Sequence, residues 1–265
     1  MLPAAIRKLS CNPVLRGIAS RLHVSHFARR VYTQLLSANG ELGVSCLGAN
    51  IVLKAHDSKQ LAFMDYIITT EMGLIEAALA DLHTGDTFLD VGCHYGIFSI
   101  LASKLVGPTG RVISVEPHGE SLQVFRENVA FNKCNNVEIL NVAFSDVTAP
   151  LAFTHEANFG VVAPGADPDS AAHTVQGMAG DEAISKLPIP AAVKIDVEGH
   201  ELAAMSGLKQ TLSSATCRRL ALEIHPTLLP AGVTSSIVKN FVHNRGFRIL
   251  SETDRSSTIH VVAVR

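Results

Sequence analysis

From residue 87 onward the chain alternates short apolar runs with stretches of helical character, and that alternation admits few folds. The runs are TFLDVG (87–92), RVISVE (111–116), VEILNV (137–142), AAVKIDV (191–197) and RLALEIH (219–225). Strands separated by helix-length segments pair in parallel through crossovers, which place helices on both faces of the sheet. GFRILS (246–251) and TIHVVAV (258–264) follow without a helix between them and predict a closing antiparallel pair. The expectation is an α/β fold: a doubly wound, seven-stranded, mostly parallel sheet. Ligands of such sheets bind outside the carboxyl ends of the strands, so the chemistry is sought there.

Upstream, ELGVSCLGANIVLKA (41–55) alternates apolar and polar residues around Gly48-Ala49-Asn50 and predicts a β-hairpin, and residues 60–82 read as helix. The segment 155–190 breaks the strand–helix rhythm with Gly, Pro, Ala and Asp, and predicts an inserted hairpin or lid over the site. The chain therefore divides into an N-terminal helical and β-hairpin extension, 1–59, and a main domain, 60–265.

Residues 1–40 carry Arg7, Lys8, Arg16, Arg21, Arg29 and Arg30 and no acid, with Leu15, Ile18, Leu22, Phe27, Val31 and Leu35 at roughly helical spacing. This basic helix reads as a cap on the main domain with solvated arginines. Two further readings stay open: a helix on an anionic membrane surface or acidic partner, and an organellar transit segment. The whole chain has a net charge of −2, so it offers no basic field for nucleic acid, and small-molecule chemistry is expected. Five cysteines without CxxC spacing argue against a disulfide framework and for a reducing, cytoplasmic setting. No apolar run reaches membrane-spanning length, and no secretory signal is expected at the start.

The first strand end carries Asp90, Gly92 and Gly96 as D-x-G-x-x-x-G, a tight turn between strand and helix. Gly92 would let the turn run tight and a ligand approach the backbone; Gly96 would let helix and strand pack closely. Cys93-His94 stands where a dinucleotide fingerprint needs its second glycine, which leaves little room for a pyrophosphate. The next strand ends in Glu116, a carboxylate placed to accept hydrogen bonds from ribose hydroxyls. A nucleoside cofactor without pyrophosphate points to S-adenosylmethionine.

Taken together, FLDVGCHYGIFSI (88–100), VISVEPHGESLQVFRENVAFN (112–132), NVEILNVAFSD, VKIDVEGHE and LALEIHP resemble the FkbM family of S-adenosylmethionine-dependent methyltransferases, within the Rossmann-like class I enzymes. The resemblance runs from about residue 70 to the C-terminus, and KIDVEGHE, Lys194 to Glu201, is its most specific piece. It implies that Asp90, Gly92, His94, Tyr95 and Gly96 hold the methionine part, that Glu116 and Pro117 meet the ribose, and that the turn at Asn141, Val142 and Ala143 faces the adenine. Asp196 would lie beside the sulfonium. Glu71, in the helix before the first strand, would reach the methionine ammonium or else be a solvated helix acid. Members of the family usually carry Ala-Asn after D-V-G; here the His94 imidazole would replace that amide as a donor.

The inferred reaction is in-line attack by a substrate oxygen on the methyl group, which requires a base for the hydroxyl proton. Asp196, Glu198 and His200 in KIDVEGHE and Glu223 and His225 in LALEIHP crowd two neighbouring strand ends. Asp196 is kept for the cofactor. His225 is the favoured base, because imidazole titrates near neutral pH, with a structural histidine before Pro226 as the competing reading; Glu198 and Glu223 would orient backbone or substrate hydroxyls. The same five residues could ligate a metal, but no tight ligand spacing such as H-E-x-x-H is present and no metal is expected. Cys93 reads as a packing residue rather than a nucleophile. The acceptor is expected to be a hydroxyl of a sugar, glycolipid or secondary metabolite, the family's common substrates. A nicotinamide-dependent oxidoreductase and a non-catalytic cofactor-binding module are the alternatives.

Overall fold

The structure is a computed structural model, and it describes residues 40–156, 159–162, 173–255 and 257–265. The basic segment 1–39 lies outside the described residues, as does Cys11. Two compact units are distinguished: the first takes in 40–44 and 52–72, the second 45–51 and 73–265. Strands β1 (Glu41–Cys46) and β2 (Ala49–Lys54) form a two-stranded sheet around a turn at Leu47 and Gly48, both with positive φ. Their alternating exposure follows the alternating sequence, as expected for strands half in water. Helix α1 then runs from Ser58 to Leu79, and the Asp57 side chain accepts from the amides of Lys59 and Gln60 to cap it.

The second unit is built on a seven-stranded sheet. Its strands are β3 (Thr87–Val91), β4 (Arg111–Val115), β5 (Val137–Leu140), β10 (Ala192–Ile195), β11 (Arg219–Ile224), β12 (Arg248–Arg255) and β13 (Thr258–Val264), in the spatial order β12-β13-β11-β10-β3-β4-β5. β3, β4, β5, β10 and β11 pair in parallel; β13 runs antiparallel to β11 and to β12. The doubly wound, mostly parallel architecture expected from the sequence is the one observed. Every residue of β3, β10 and β11 is buried, which is why these strands are apolar throughout rather than alternating. The edge strand β12 is longer than expected and mostly exposed, with an irregularity between Ile249 and Ser251 that leaves Leu250 in water.

Helices α2 (Ile97–Val106), α3 (Gly119–Phe131), α5 (Glu201–Gly207) and α6 (Ser235–Asn244) follow β3, β4, β10 and β11 respectively. The main core joins Leu89, Val91, Ile113 and Val115 of the sheet to Met205 and Leu208 around α5 and to Val238 and Val242 of α6. The chain steps outward from β3 through β4 to β5, then returns to the other side of β3 with β10. The carboxyl ends of β3 and β10 therefore flank the switch point where a ligand crevice forms.

Between β5 and β10 the chain builds a second sheet that the sequence showed only in part. β6 (Ala143–Ser145), β7 (Pro150–Glu156), β8 (Phe159–Val162) and β9 (His173–Ala179) take the order β6-β9-β7-β8, and the four-residue helix α4 (Gly180–Ala183) ends the insertion. The hairpin expectation is met by β7 and β8, but the strands begin five residues before residue 155, and much of 157–172 lies outside the described residues. The insert is tied to α5 by close backbone contact. A side chain at Gly207 would place its Cβ 1.8 Å from the Ser145 carbonyl oxygen and 2.9 Å from the Gly180 nitrogen. Gly207→Ala should therefore cost about 1–3 kcal/mol of unfolding free energy, read as a lowered midpoint in urea unfolding.

Candidate active site

The loop after β3 is shaped closely by its neighbours. Gly92 and Gly96 have φ of 78° and 81°, a region in which a side chain is strained. A Cβ on Gly92 would sit 1.8 Å from the Asp196 carbonyl oxygen, and one on Gly96 would sit 1.9 Å from the Phe125 ring. The close approaches these glycines permit are thus to the end of β10 and to α3. The amides of Gly92 and Cys93 both donate to the Val115 carbonyl, stitching the loop to the end of β4.

Glu116, just past β4, braces the same loop. Its Oε2 accepts from the His94 amide at 2.9 Å and its Oε1 from the His118 amide at 2.8 Å. His94, with φ of 49°, contributes here through its backbone, while its ring stacks on Tyr95 with centroids 3.8 Å apart. Burial pushes the Glu116 carboxyl up to about 7, against the two backbone N–H groups, which favour the charged form. The Asn141 side chain donates to the carbonyls of Glu116 and Pro117 and joins the ends of β4 and β5. Val142 packs on the main core, and Ala143 is buried with Phe153 and Val162 of the insert.

Beneath the loop lies a charge network that was not foreseen. Lys194, only 4% exposed along its side chain, donates from Nζ to the Gly92 carbonyl at 2.7 Å. Nζ also lies 3.5 Å from Asp90 Oδ1 and 3.3 Å from Asp196 Oδ2, and 5.2 Å from the Phe98 ring centroid. Burial disfavours its charge, but Asp196 and Asp90 outweigh that and hold it protonated. Asp90 is completely buried, and Ser99, itself bonded to Ser114, donates to its Oδ2 at 2.6 Å. An enclosed carboxylate of this kind supports the loop from below. A lysine inside the apolar run AAVKIDV was the available signal, since lysine enters a strand buried on both faces only when it is paired.

The ends of β10 and β11 bring Asp196, Glu198, His225 and Glu223 together. His225 Nε2 lies 3.2 Å from Glu198 Oε2 and 3.9 Å from both Asp196 Oδ1 and Glu223 Oε1. Its Nδ1 is bonded at 2.9 Å to Oε1 of Glu201, a fully buried carboxylate that also accepts from the Gly199 amide. Burial alone would lower the His225 pKa, but the Glu201 hydrogen bond and the charges of Asp196 and Glu198 push it up to about 9. These neighbours thus favour the charged form of the imidazole. Glu198, at φ of 51°, is pushed up to about 7, by burial first and then by Asp196. Asp196 is drawn below the ordinary carboxylate range, since Lys194 and His225 outweigh its burial.

His200 does not join this group: its Nε2 pairs with Ser145 Oγ at 3.1 Å, and burial lowers its pKa. Glu223 pairs with His260 at 3.3 Å. Cys93 is buried and its thiol is pushed well above its ordinary range, by burial first and then by Asp90 and Glu116, which leaves it unreactive. Glu71 is a buried carboxylate of α1, in the first unit. A cavity of about 800 Å³ opens at the other, amino-terminal end of the strands, beside Gly85, Arg111 and Asn136, but Arg111 there is paired with Glu138 and Lys104 with the Asn132 carbonyl. Lys194→Met should lower stability by about 3–5 kcal/mol in urea unfolding, because it leaves Asp90 buried without its counter-charge.

Known proteins resemble this chain in sequence over part of its length. The hexuronic acid methyltransferase AglP of Haloferax volcanii is 27% identical over 168 residues, 62% of this chain and 66% of that protein. The arsenite methyltransferase of Halobacterium salinarum is 44% identical over 61 residues, 23% of this chain and 16% of that one. The chain thus spans just under two thirds of the first relative's length and a small part of the second's. Among solved structures, a precorrin-6y C5,15-methyltransferase from Geobacter metallireducens aligns with a TM-score of 0.47 and 15% identity, covering 74% of this chain and 87% of that one. Fibrillarin of Aeropyrum pernix with bound S-adenosylmethionine aligns with a TM-score of 0.44 and 16% identity, covering 71% and 73%. The sequence model described as the methyltransferase FkbM domain matches residues 90–249, and the chain belongs to that family, whose cofactor is S-adenosylmethionine.

Proposed function

We propose that this chain transfers the methyl group of S-adenosylmethionine to a hydroxyl of a sugar, with a hexuronic acid as the first acceptor class to examine. The observation that carries the reading is the placing of Glu116 at the end of β4 and of the Asp196–Glu198–His225 cluster at the ends of β10 and β11, with β4 and β10 flanking β3. The hexuronic acid methyltransferase AglP supports the sugar acceptor. The FkbM family match supports methyl transfer over nicotinamide chemistry.

The donor set fits the cofactor. Glu116 keeps further lone pairs for ribose hydroxyls beyond its two backbone bonds, and Asp196, ionised and 25% exposed along its side chain, suits a sulfonium. When bound, the cofactor supplies an electrophilic methyl group, and its transfer to a hydroxyl oxygen yields an ether, S-adenosylhomocysteine and one proton. Asp196 holds positive charge at the tip of β10, with its other oxygen anchored by Lys194. Glu198 stands beside it as the group that receives the acceptor hydroxyl's proton, and His225, 3.2 Å from Glu198 Oε2, orients that hydroxyl. A module that only bound the cofactor would have no use for that second pair.

The test is incubation of the purified chain with S-adenosylmethionine and a panel of uronic-acid and neutral glycosides, with S-adenosylhomocysteine and methylated product followed by mass spectrometry. Equimolar product and S-adenosylhomocysteine are expected; cofactor binding without turnover on any glycoside would sink the sugar assignment. Glu198→Gln should lower kcat by about 10²–10⁴-fold with the cofactor Kd unchanged. Because Glu116 titrates at about 7 and accepts hydroxyl bonds best when ionised, cofactor affinity should rise as pH increases from 6 to 8. Calorimetric titration of Glu116→Gln should show weaker binding with that dependence flattened.

A further inference from the structure

The cluster between β10 and β11 holds more negative donors than a methyl donor and a hydroxyl require. We propose that Asp196, Glu198 and His225 form a binding site for a divalent cation, with Glu223 within reach as a fourth ligand and Glu201 as the positioning residue that aims the imidazole. The ligand atoms of Asp196, Glu198 and His225 all lie within 4.8 Å of one another. Two carboxylates and one imidazole make a set for a hard or borderline ion such as Mg²⁺, Mn²⁺ or Zn²⁺.

Three further features distinguish this group from a chance gathering of acids. The His225 side chain is about nine-tenths buried, and its Nε2 is aimed at three carboxylates, of Glu198, Asp196 and Glu223, at 3.2, 3.9 and 3.9 Å. Its Nδ1 is fixed by Glu201, which is wholly buried and anchored in turn by the Gly199 amide. That is the arrangement in which a metal-binding histidine gives its second nitrogen to a carboxylate, which sets the tautomer and the ring orientation. Glu201 Oε2 has no hydrogen-bond partner among the described residues, so the carboxylate is present for its contact with His225 and the Gly199 turn rather than as part of a wider polar network. Finally, the donors divide cleanly. Lys194 occupies Asp196 Oδ2, while Oδ1 faces His225 beyond hydrogen-bond distance, and Asp196 and Glu198 are 25% and 23% exposed, so an ion can reach them from solvent.

A cation seated there would take the place of the contact between His225 Nε2 and Glu198 Oε2. Resting on the proposed methyl transfer, its use would be to bind an oxygen of the acceptor next to Asp196. A uronic acid, with a carboxylate and neighbouring hydroxyls, suits such an ion better than an isolated alcohol does.

The test is titration of the full chain, free of cofactor and acceptor, with Mn²⁺, following free Mn²⁺ by electron paramagnetic resonance. One Mn²⁺ per chain is expected. Asp196→Asn and His225→Gln should abolish it, Glu201→Gln should weaken it about 10–100-fold, and His200→Gln should leave it unchanged. Circular dichroism and thermal unfolding confirm that each variant is folded. No binding of Mn²⁺ or Zn²⁺ by the folded wild-type chain, or binding that survives both Asp196→Asn and His225→Gln, overturns the proposal. Methyl transfer at full rate in EDTA would overturn the cation's role while leaving the methyltransferase reading intact. Mn²⁺ bound as expected in a chain that methylates no glycoside would support the cation site and reject that reading.

Discussion

A single buried ammonium holds the working end of this sheet together. Lys194 extends from β10 beneath the loop that follows β3, where it bonds to the Gly92 carbonyl and lies between Asp90 and Asp196. An isolated ammonium in such a place would lose its proton or unfold the protein. Two carboxylates and a carbonyl keep it charged instead. The arrangement also explains why Gly92 must be glycine, because the backbone of Asp196 lies where a Cβ would be. Loop, strand end and the Asp196 carboxylate are therefore joined through one ammonium.

The electrostatics of the site follow from that arrangement. Lys194 satisfies one oxygen of Asp196 and leaves the other turned toward His225. Glu198, Glu201 and Glu223 then surround the imidazole, which is why His225 holds its proton so firmly and why Glu198 is slow to give one up. A crevice end with this surplus of carboxylate is made for positive charge. The sulfonium and the divalent cation proposed above would both answer that charge.

How much of this was legible in the sequence depends on the range of the interaction. The seven strands and their order class were readable because each strand's apolar pattern reports its own burial: β3, β10 and β11 read as continuous apolar runs because both of their faces are covered. Asp90, Glu116, Asp196 and His225 were readable because strand ends are where ligands bind in such sheets. Glu201 was hidden, since a glutamate at a helix start ordinarily points to solvent and nothing local shows that it turns inward to His225. The second sheet was half hidden too, because β6 has only three residues and pairs with β9, which lies far along the chain.

The sequence by itself determined the class of fold, the crowding of acids and histidines at two neighbouring strand ends and the family to which the chain belongs, all of which rest on patterns contiguous in the chain. Tertiary structure alone decided that Gly92 and Gly96 clear space for Asp196 and Phe125, that the His94 amide donates to Glu116, and that the His225 imidazole is held between Glu201 and Glu198. The physical reason is that packing clearance, burial and summed charge depend on residues brought together from distant positions. A histidine's spelling is the same in every context, while its proton belongs to its neighbours.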